Sequence, residues 1–168
     1  RDIIEKWLPD HQTSFPPIII NISDGMPTDD HDFIEMIEQS AQEHSFHLGD
    51  LSQIPLMIQS KAIRELGTDD GKCLILNCHI SAAKVQQILY PSSAAEAEEI
   101  DPFAKFMFEM SSIIPEQLRD LGRTLGIPLE SNSRFFIFNA ELKNVLKFMK
   151  FGTSKSLGKD ASSLPDKS

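Results

Sequence analysis

The chain reads as an α/β layered protein built on a mainly parallel sheet. Three short apolar runs, at residues 17–22, 73–78 and 135–138, are continuous rather than alternating, as in strands covered on both faces. Between them lie segments with apolar residues three and four apart, and strand–helix alternation of this kind joins parallel strands through helical crossovers. A length of 168 residues suits one domain.

Residues 1–8 place Ile3, Ile4, Trp7 and Leu8 at helical spacing, and Pro9 stops the pattern. After a polar stretch, Pro16-Pro17-Ile18-Ile19-Ile20-Asn21-Ile22 is rich in β-branched residues and predicts a central parallel strand. Ser23-Asp24-Gly25-Met26-Pro27 breaks it as a loop. Thr28 or Asp30 then caps a helix that directs Phe33, Ile34, Ile37 and Ala41 inward. Pro55 suits the first turn of a further helix, with Ile58, Ala62, Ile63 and Leu66 inward and Gly67 at its end. The turn Asp69-Asp70-Gly71-Lys72 leads into the second strand, Cys73-Leu74-Ile75-Leu76-Asn77-Cys78. Residues 81–100 read as a connector. Asp101-Pro102 starts a helix with the stripe Phe103, Phe106, Met107 and Met110. Pro115 restarts or kinks it, with Leu118, Leu121 and Leu125 inward until Gly126. Phe135-Phe136-Ile137-Phe138 is the third strand. Asn139 reads as a cap for a last helix that turns Leu142, Val145, Leu146 and Met149 inward and ends at Gly152. From residue 153 Ser, Lys, Gly and Asp dominate, which predicts one domain over 1–152 and a disordered tail over 153–168.

Three strands are few against the ~5 to 6 of a typical sheet. The first is also too apolar for an exposed edge. A neighbour for it is therefore expected, either from a second copy or from polypeptide ahead of Arg1, which is no translation start. The second option makes this chain half of a sheet.

Charge and composition narrow the function. Lys and Arg number 16 against 25 Asp and Glu, a net charge of −9 that disfavours a nucleic-acid partner. The longest mainly apolar stretch, residues 15–22, falls far short of the ~20 residues of a membrane helix. No basic segment followed by an apolar run opens the chain, so a soluble protein with no membrane partner is expected. Cys73 and Cys78 would lie on opposite faces of one strand, roughly 16 Å apart, too far for a disulfide. Two separated thiols without a secretion signal point to the cytoplasm. Neither a Gly-x-x-x-x-Gly-Lys loop nor a Gly-x-Gly-x-x-Gly turn is present, so nucleotide binding has no support.

Open parallel sheets bind ligands beyond the carboxyl ends of their strands. Asp24 follows such an end. Around it Ser23, Thr28, Asp29, Asp30 and Asp32 offer hard oxygen donors suited to Mg²⁺ or Ca²⁺, without the Cys and His that Zn²⁺ prefers. Gly25 lets the chain leave the strand sharply. Asp29, Asp30 and Asp32 read better as acidic complements to a helix start, whereas Asp24, between three isoleucines and a glycine, reads as a metal ligand.

The segment Ile18-Ile19-Ile20-Asn21-Ile22-Ser23-Asp24-Gly25-Met26-Pro27-Thr28-Asp29 resembles the fourth-strand segment of von Willebrand factor type A domains. Leu76-Asn77-Cys78-His79-Ile80-Ser81, Phe108-Glu109-Met110-Ser111-Ser112 and Phe136-Ile137-Phe138-Asn139-Ala140 resemble bacterial cytoplasmic members of that family. The resemblance spans most of residues 16–153. It implies a doubly wound sheet ordered 3-2-1-4-5-6, of which this chain is the carboxyl-terminal half, strands 4, 5 and 6 with flanking helices. It also implies a metal-ion-dependent adhesion site with Asp24 as the last ligand and Ser23, Gly25, Thr28 and Asp29 as the surrounding binding residues. There Mg²⁺ or another divalent cation completes its shell with a carboxylate from a protein partner, a non-catalytic function. The family's Asp-x-Ser-x-Ser loop does not precede Asp24 here and is expected ahead of Arg1, so metal binding by this chain alone should be weak. The implied partners belong to phosphatase, kinase or stress-response systems.

The rival function is a divalent-metal-dependent phosphoesterase, in which Asp24 and a nearby Asp or His79 hold an ion that activates water. His79 follows the second strand and could line the same end or act as a base. His44 and His47 have ligand spacing but no third ligand, and read as surface. The Phe103–Met110 stripe reads as core rather than a partner groove. Cys78 lacks a nucleophile's partner, and Glu96, Glu98 and Glu99 form a solvated face. A third possibility is a structural piece with no working site. An open strand edge, finally, predicts self-association.

Overall fold

A computed structural model describes residues 1–23, 35, 54–80, 86–98 and 102–153. The expected helix after Thr28 apart from Glu35, the histidines at 44 and 47, and residues 154–168 of the expected tail lie outside them. The centre is a four-stranded sheet of β1 (Ile18–Ser23), β4 (Leu74–His79), β6 (Phe136–Phe138) and β5 (Ile88–Leu89), side by side in that order. Between β1 and β4 in the chain stand a helix α2 (Pro55–Glu65) and a hairpin of β2 (Gly67–Thr68) with β3 (Gly71–Lys72). Among the described residues the other α-helices are α1 (Asp2–Trp7), α3 (Ala94–Glu98), α4 (Pro102–Met110), α5 (Glu116–Thr124) and α6 (Leu142–Gly152).

The three apolar runs become adjacent parallel strands. β1 pairs with β4 from Ile18 opposite Leu74 to Ser23 opposite His79, and β4 pairs with β6 from Asn77 opposite Phe136 to His79 opposite Phe138. β5 was not anticipated. It lies inside the expected connector, antiparallel to β6, and its two residues are too few for any alternation to show. Tyr90 continues it with a left-handed backbone (φ 55°), and its N–H donates to the Phe136 carbonyl at 2.9 Å. β1 departs from expectation too: it is half-buried, and Ile22 is 46% exposed. Among the described residues it has a strand neighbour on the β4 side alone.

Strand alternation divides the core between the two faces. Phe136 and Phe138 pack with Ile54, Ala104, Phe106 and Met107 on one face. Leu74, Leu76, Cys78, Phe135 and Ile137 pack with Leu118, Phe148 and Phe151 on the other. A third cluster of Ile4, Leu8 and Cys73 fastens α1 to Ile19 and Ile63. Cys73 and Cys78 thus sit in separate clusters, both as free thiols, as the strand geometry predicts.

Several helices turn differently from the sequence expectation. In α4 the five consecutive residues Ala104, Lys105, Phe106, Met107 and Phe108 are each no more than 2% exposed, so this helix is enclosed instead of buried along a stripe. In α2, Ser60 faces inward and Ile58 outward; Ile3 on α1 and Leu125 after α5 are likewise exposed. In α6 the buried residues are Phe148, Phe151 and Gly152, while Leu142 and Leu146 face solvent. Gly152 decides that rotation. A Cβ there would stand 2.1 Å from the Leu76 Cδ2, so only glycine lets α6 lie this close to β4. Asn139 takes a left-handed turn (φ 45°) rather than capping α6, whose cap position is Glu141.

Candidate functional site

Because β1 and β4 are parallel and in register, Ser23 and His79 end them at the same level. On the face toward α2 and α4, Ile19, Asn21 and Ser23 alternate along β1 and line a cleft of about 350 Å³ with Ser60, Asn77 and Met107. The floor of this cleft is a polar ladder set into an apolar sheet. Asn21 Nδ2 donates to Asn77 Oδ1 at 3.0 Å, and Asn77 Nδ2 donates to the Met107 carbonyl at 3.1 Å and to Ser111 Oγ at 2.9 Å. Ser111 Oγ in turn donates to the same carbonyl at 2.8 Å. Asn77 and Ser111 are fully enclosed, and their partners satisfy the requirement that buried polar groups be hydrogen-bonded.

The next turn of chain extends the ladder to the strand backbone. Ser112 Oγ accepts the Ile75 N–H at 2.9 Å, and its own N–H donates to the Ile75 carbonyl at 3.0 Å. Two guanidinium groups close the end of α4. Arg64 donates to the Ser111 carbonyl at 3.1 Å; Arg134 donates to the carbonyls of Ser111 and Glu109 at 3.0 and 2.9 Å. Arg134 also pairs with the Glu109 carboxylate at 3.2 Å and lies 4.8 Å over the Phe108 ring. Positive groups at a helix carboxyl end match its dipole.

Met107 joins this ladder to the strand tips. Its sulfur lies 3.9 Å from Ser23 Oγ and 3.2 Å from His79 Nδ1. The His79 ring is fully buried and stacks on Phe138 with centroids 5.0 Å apart. On the opposite face, burial pushes the Cys78 thiol up to about 11, so it is neutral and a poor nucleophile near pH 7.

Of the residues predicted for the metal site, the described structure contains Ser23, half-buried at the tip of β1. Asp24, Gly25, Thr28, Asp29, Asp30 and Asp32 lie outside the described residues. Among the described residues no group of three or more His, Cys, Asp and Glu side chains converges. Ser23 supplies one hard oxygen at the carboxyl edge, a donor of the type Mg²⁺ accepts. The Asn21–Asn77 pair escaped the sequence reading. Its signal was present: each asparagine occupies the fourth position of its strand, directly after three apolar residues, and the register sets them side by side.

Compared with known proteins, the chain matches no family model, no curated protein and no solved structure.

Proposed function

We propose that this chain is the carboxyl-terminal part of a doubly wound domain similar to von Willebrand factor type A domains, and that it grips a protein partner through a divalent cation. In this reading Asp24 holds the ion, Ser23 adds its hydroxyl, Gly25 frees the turn, and Thr28 and Asp29 flank the contact. The ion, Mg²⁺ or a similar hard cation, supplies a positive centre to which a partner's carboxylate binds. No bond in the partner is broken, so the function is adhesion rather than turnover.

The observation that supports this reading is the common carboxyl edge of β1 and β4, with Ser23 and His79 in register. Ser23 ends β1 at that edge, where parallel sheets present ligands, and Asp24 and Gly25 are the next residues in the sequence. A hydrolytic role for His79 is disfavoured. Its ring is fully buried, against Met107 and Phe138, whereas a general base has to reach the proton it removes. No helix among the described residues is long and apolar enough to cross a membrane. A cytoplasmic site of action, and pairing of the outer edge of β1 with further strands or a second copy, belong to the same proposal.

The test is calorimetric titration of Mn²⁺ and Mg²⁺ into the chain, repeated with a glutamate-bearing peptide. Weak binding that tightens with the peptide and disappears in Asp24→Ala is expected. Equal affinity in Asp24→Ala, or phosphate release from p-nitrophenyl phosphate with Mn²⁺, would overturn the proposal.

A further inference from the structure

The amino ends of β1 and β4 frame a second cavity, of about 590 Å³, at the end of the sheet opposite Ser23 and His79. That volume lies within the ~300–1,000 Å³ of small-molecule sites. Phe15, Pro16, Ile113 and Leu118 supply apolar walls, and Lys61, Arg64 and Lys72 bring positive charge. Glu65 and Asp70 are the lining carboxylates, so the lining is net positive in a chain whose total charge is −9.

The three cations are not equally engaged. Lys72 is held by Glu65: its Nζ donates to the Glu65 carbonyl at 2.6 Å and stands 3.8 Å from the carboxylate. Lys61 is exposed and makes no ion pair or hydrogen bond among the described residues. Arg64 commits one N–H to the Ser111 carbonyl, and its buried Nε has no acceptor among the described residues. A buried donor left this way is destabilising, and a turn of the guanidinium toward an anion would satisfy it. Desolvation, and then the neighbouring Arg134, lower the Arg64 pKa, a strain that a nearby negative charge relieves. Lys61 and Arg64 are three residues apart on α2 and so share one side of that helix.

We infer that this cavity binds a small amphiphilic anion, its oxyanion head between Lys61 and Arg64 and its apolar body against Phe15, Pro16, Ile113 and Leu118. The head is a carboxylate or a phosphate, both of which the planar guanidinium fits. This site is separate from the strand-tip site, and binding here is independent of Asp24.

Amide NMR titrations of the chain with hexanoate and with phenyl phosphate test the inference, with hexanol as the neutral control. Saturable shifts at Gly71, Lys72 and Gln117 are expected for at least one anion, and the tighter of the two identifies the head. Hexanol should bind at least about tenfold more weakly. Lys61→Gln, at an exposed position outside the core, should weaken the anion several-fold, as should Arg64→Gln; Asp24→Ala should leave it unchanged. The inference is overturned if neither anion gives saturable shifts at millimolar concentration, if hexanol binds equally well, or if Lys61→Gln leaves the affinity intact.

Discussion

Replacing Asn77 with alanine tests whether the polar ladder holds α4 on the sheet. The side chain makes three hydrogen bonds, one accepted from Asn21 and two donated to Met107 and Ser111. Each contributes about 1 kcal/mol net. The groups left behind are mostly not stranded: the Met107 carbonyl keeps the Ser111 hydroxyl, and Asn21 is half-buried and can turn to water. The loss should therefore approach the sum of the bonds plus a small cavity, about 2–4 kcal/mol. With a urea m-value of about 1–3 kcal/mol per molar, the unfolding midpoint followed by circular dichroism falls by on the order of 1–2 M. Asn77→Asp sharpens the test. It keeps the acceptor for Asn21 but sets a carboxylate against the Met107 carbonyl, so burial raises its pKa. The stability conferred by the protonated form is then present below pH ~4 and is lost as pH rises through the higher folded-state value, making Asn77→Asp worse than Asn77→Ala at pH 7. A loss below about 0.5 kcal/mol for Asn77→Ala, or no coupling to Ser111→Ala in a double-mutant cycle, would refute the structural role assigned to the ladder.

Gly152→Ala should destabilise by about 1–3 kcal/mol through its clash with Leu76, and Leu76→Val should relieve part of it in the double variant; thermal melts of the four proteins decide. Arg134→Lys keeps the charge but loses the fork to two carbonyls and the Glu109 carboxylate, and a loss of about 1–2 kcal/mol in chemical denaturation is expected. Burial raises the pKa of Cys78 from 9.0 to about 11 and that of Tyr90 as well. The unfolded chain therefore loses these protons first, and stability present below pH ~9 should fall as pH climbs toward 11, by on the order of 2 kcal/mol for Cys78. Cys78→Ala should flatten that part of the pH profile; an unchanged slope would contradict the assignment.

Three strands of the sheet were legible in the sequence because their runs are almost continuously apolar; that pattern marks covered strands in β4 and β6, and β1 carries it although it is only half-buried. Residues 18–22, 74–78 and 136–138 stand out for that reason, and their parallel order follows from the helices between them. β5 was not legible, since a two-residue edge strand is defined by its partner and carries no period of its own. The existence of α1, α2, α4, α5 and α6 was clear, the short α3 inside the expected connector was not, and helix rotation was not. Of the expected inward face Leu142, Val145, Leu146 and Met149, Val145 and Met149 pack on the core while Leu142 and Leu146 face solvent, because the missing side chain at Gly152 lets the Phe148–Phe151 side of α6 meet the sheet at Leu76. For α4, a stripe of Phe and Met looked one-sided, because enclosure by elements distant in sequence leaves no local trace. At the strand tips, the place of Ser23 follows from where the apolar run of β1 ends, whereas the burial of His79 depends on Met107 and Phe138, which are remote along the chain.

An enclosed helix cannot fray piecemeal. With Ala104 to Phe108 sealed on every side, amides in the second half of α4 should trade their protons with heavy water only when the whole body opens. Their exchange rates would then report global stability, while Ile3 and its neighbours on α1 exchange through local breathing. The same sealing means that this part of α4 has no neutral surface for drift: nearly any change between 104 and 108 alters a packed contact, making this short stretch intolerant of random substitution.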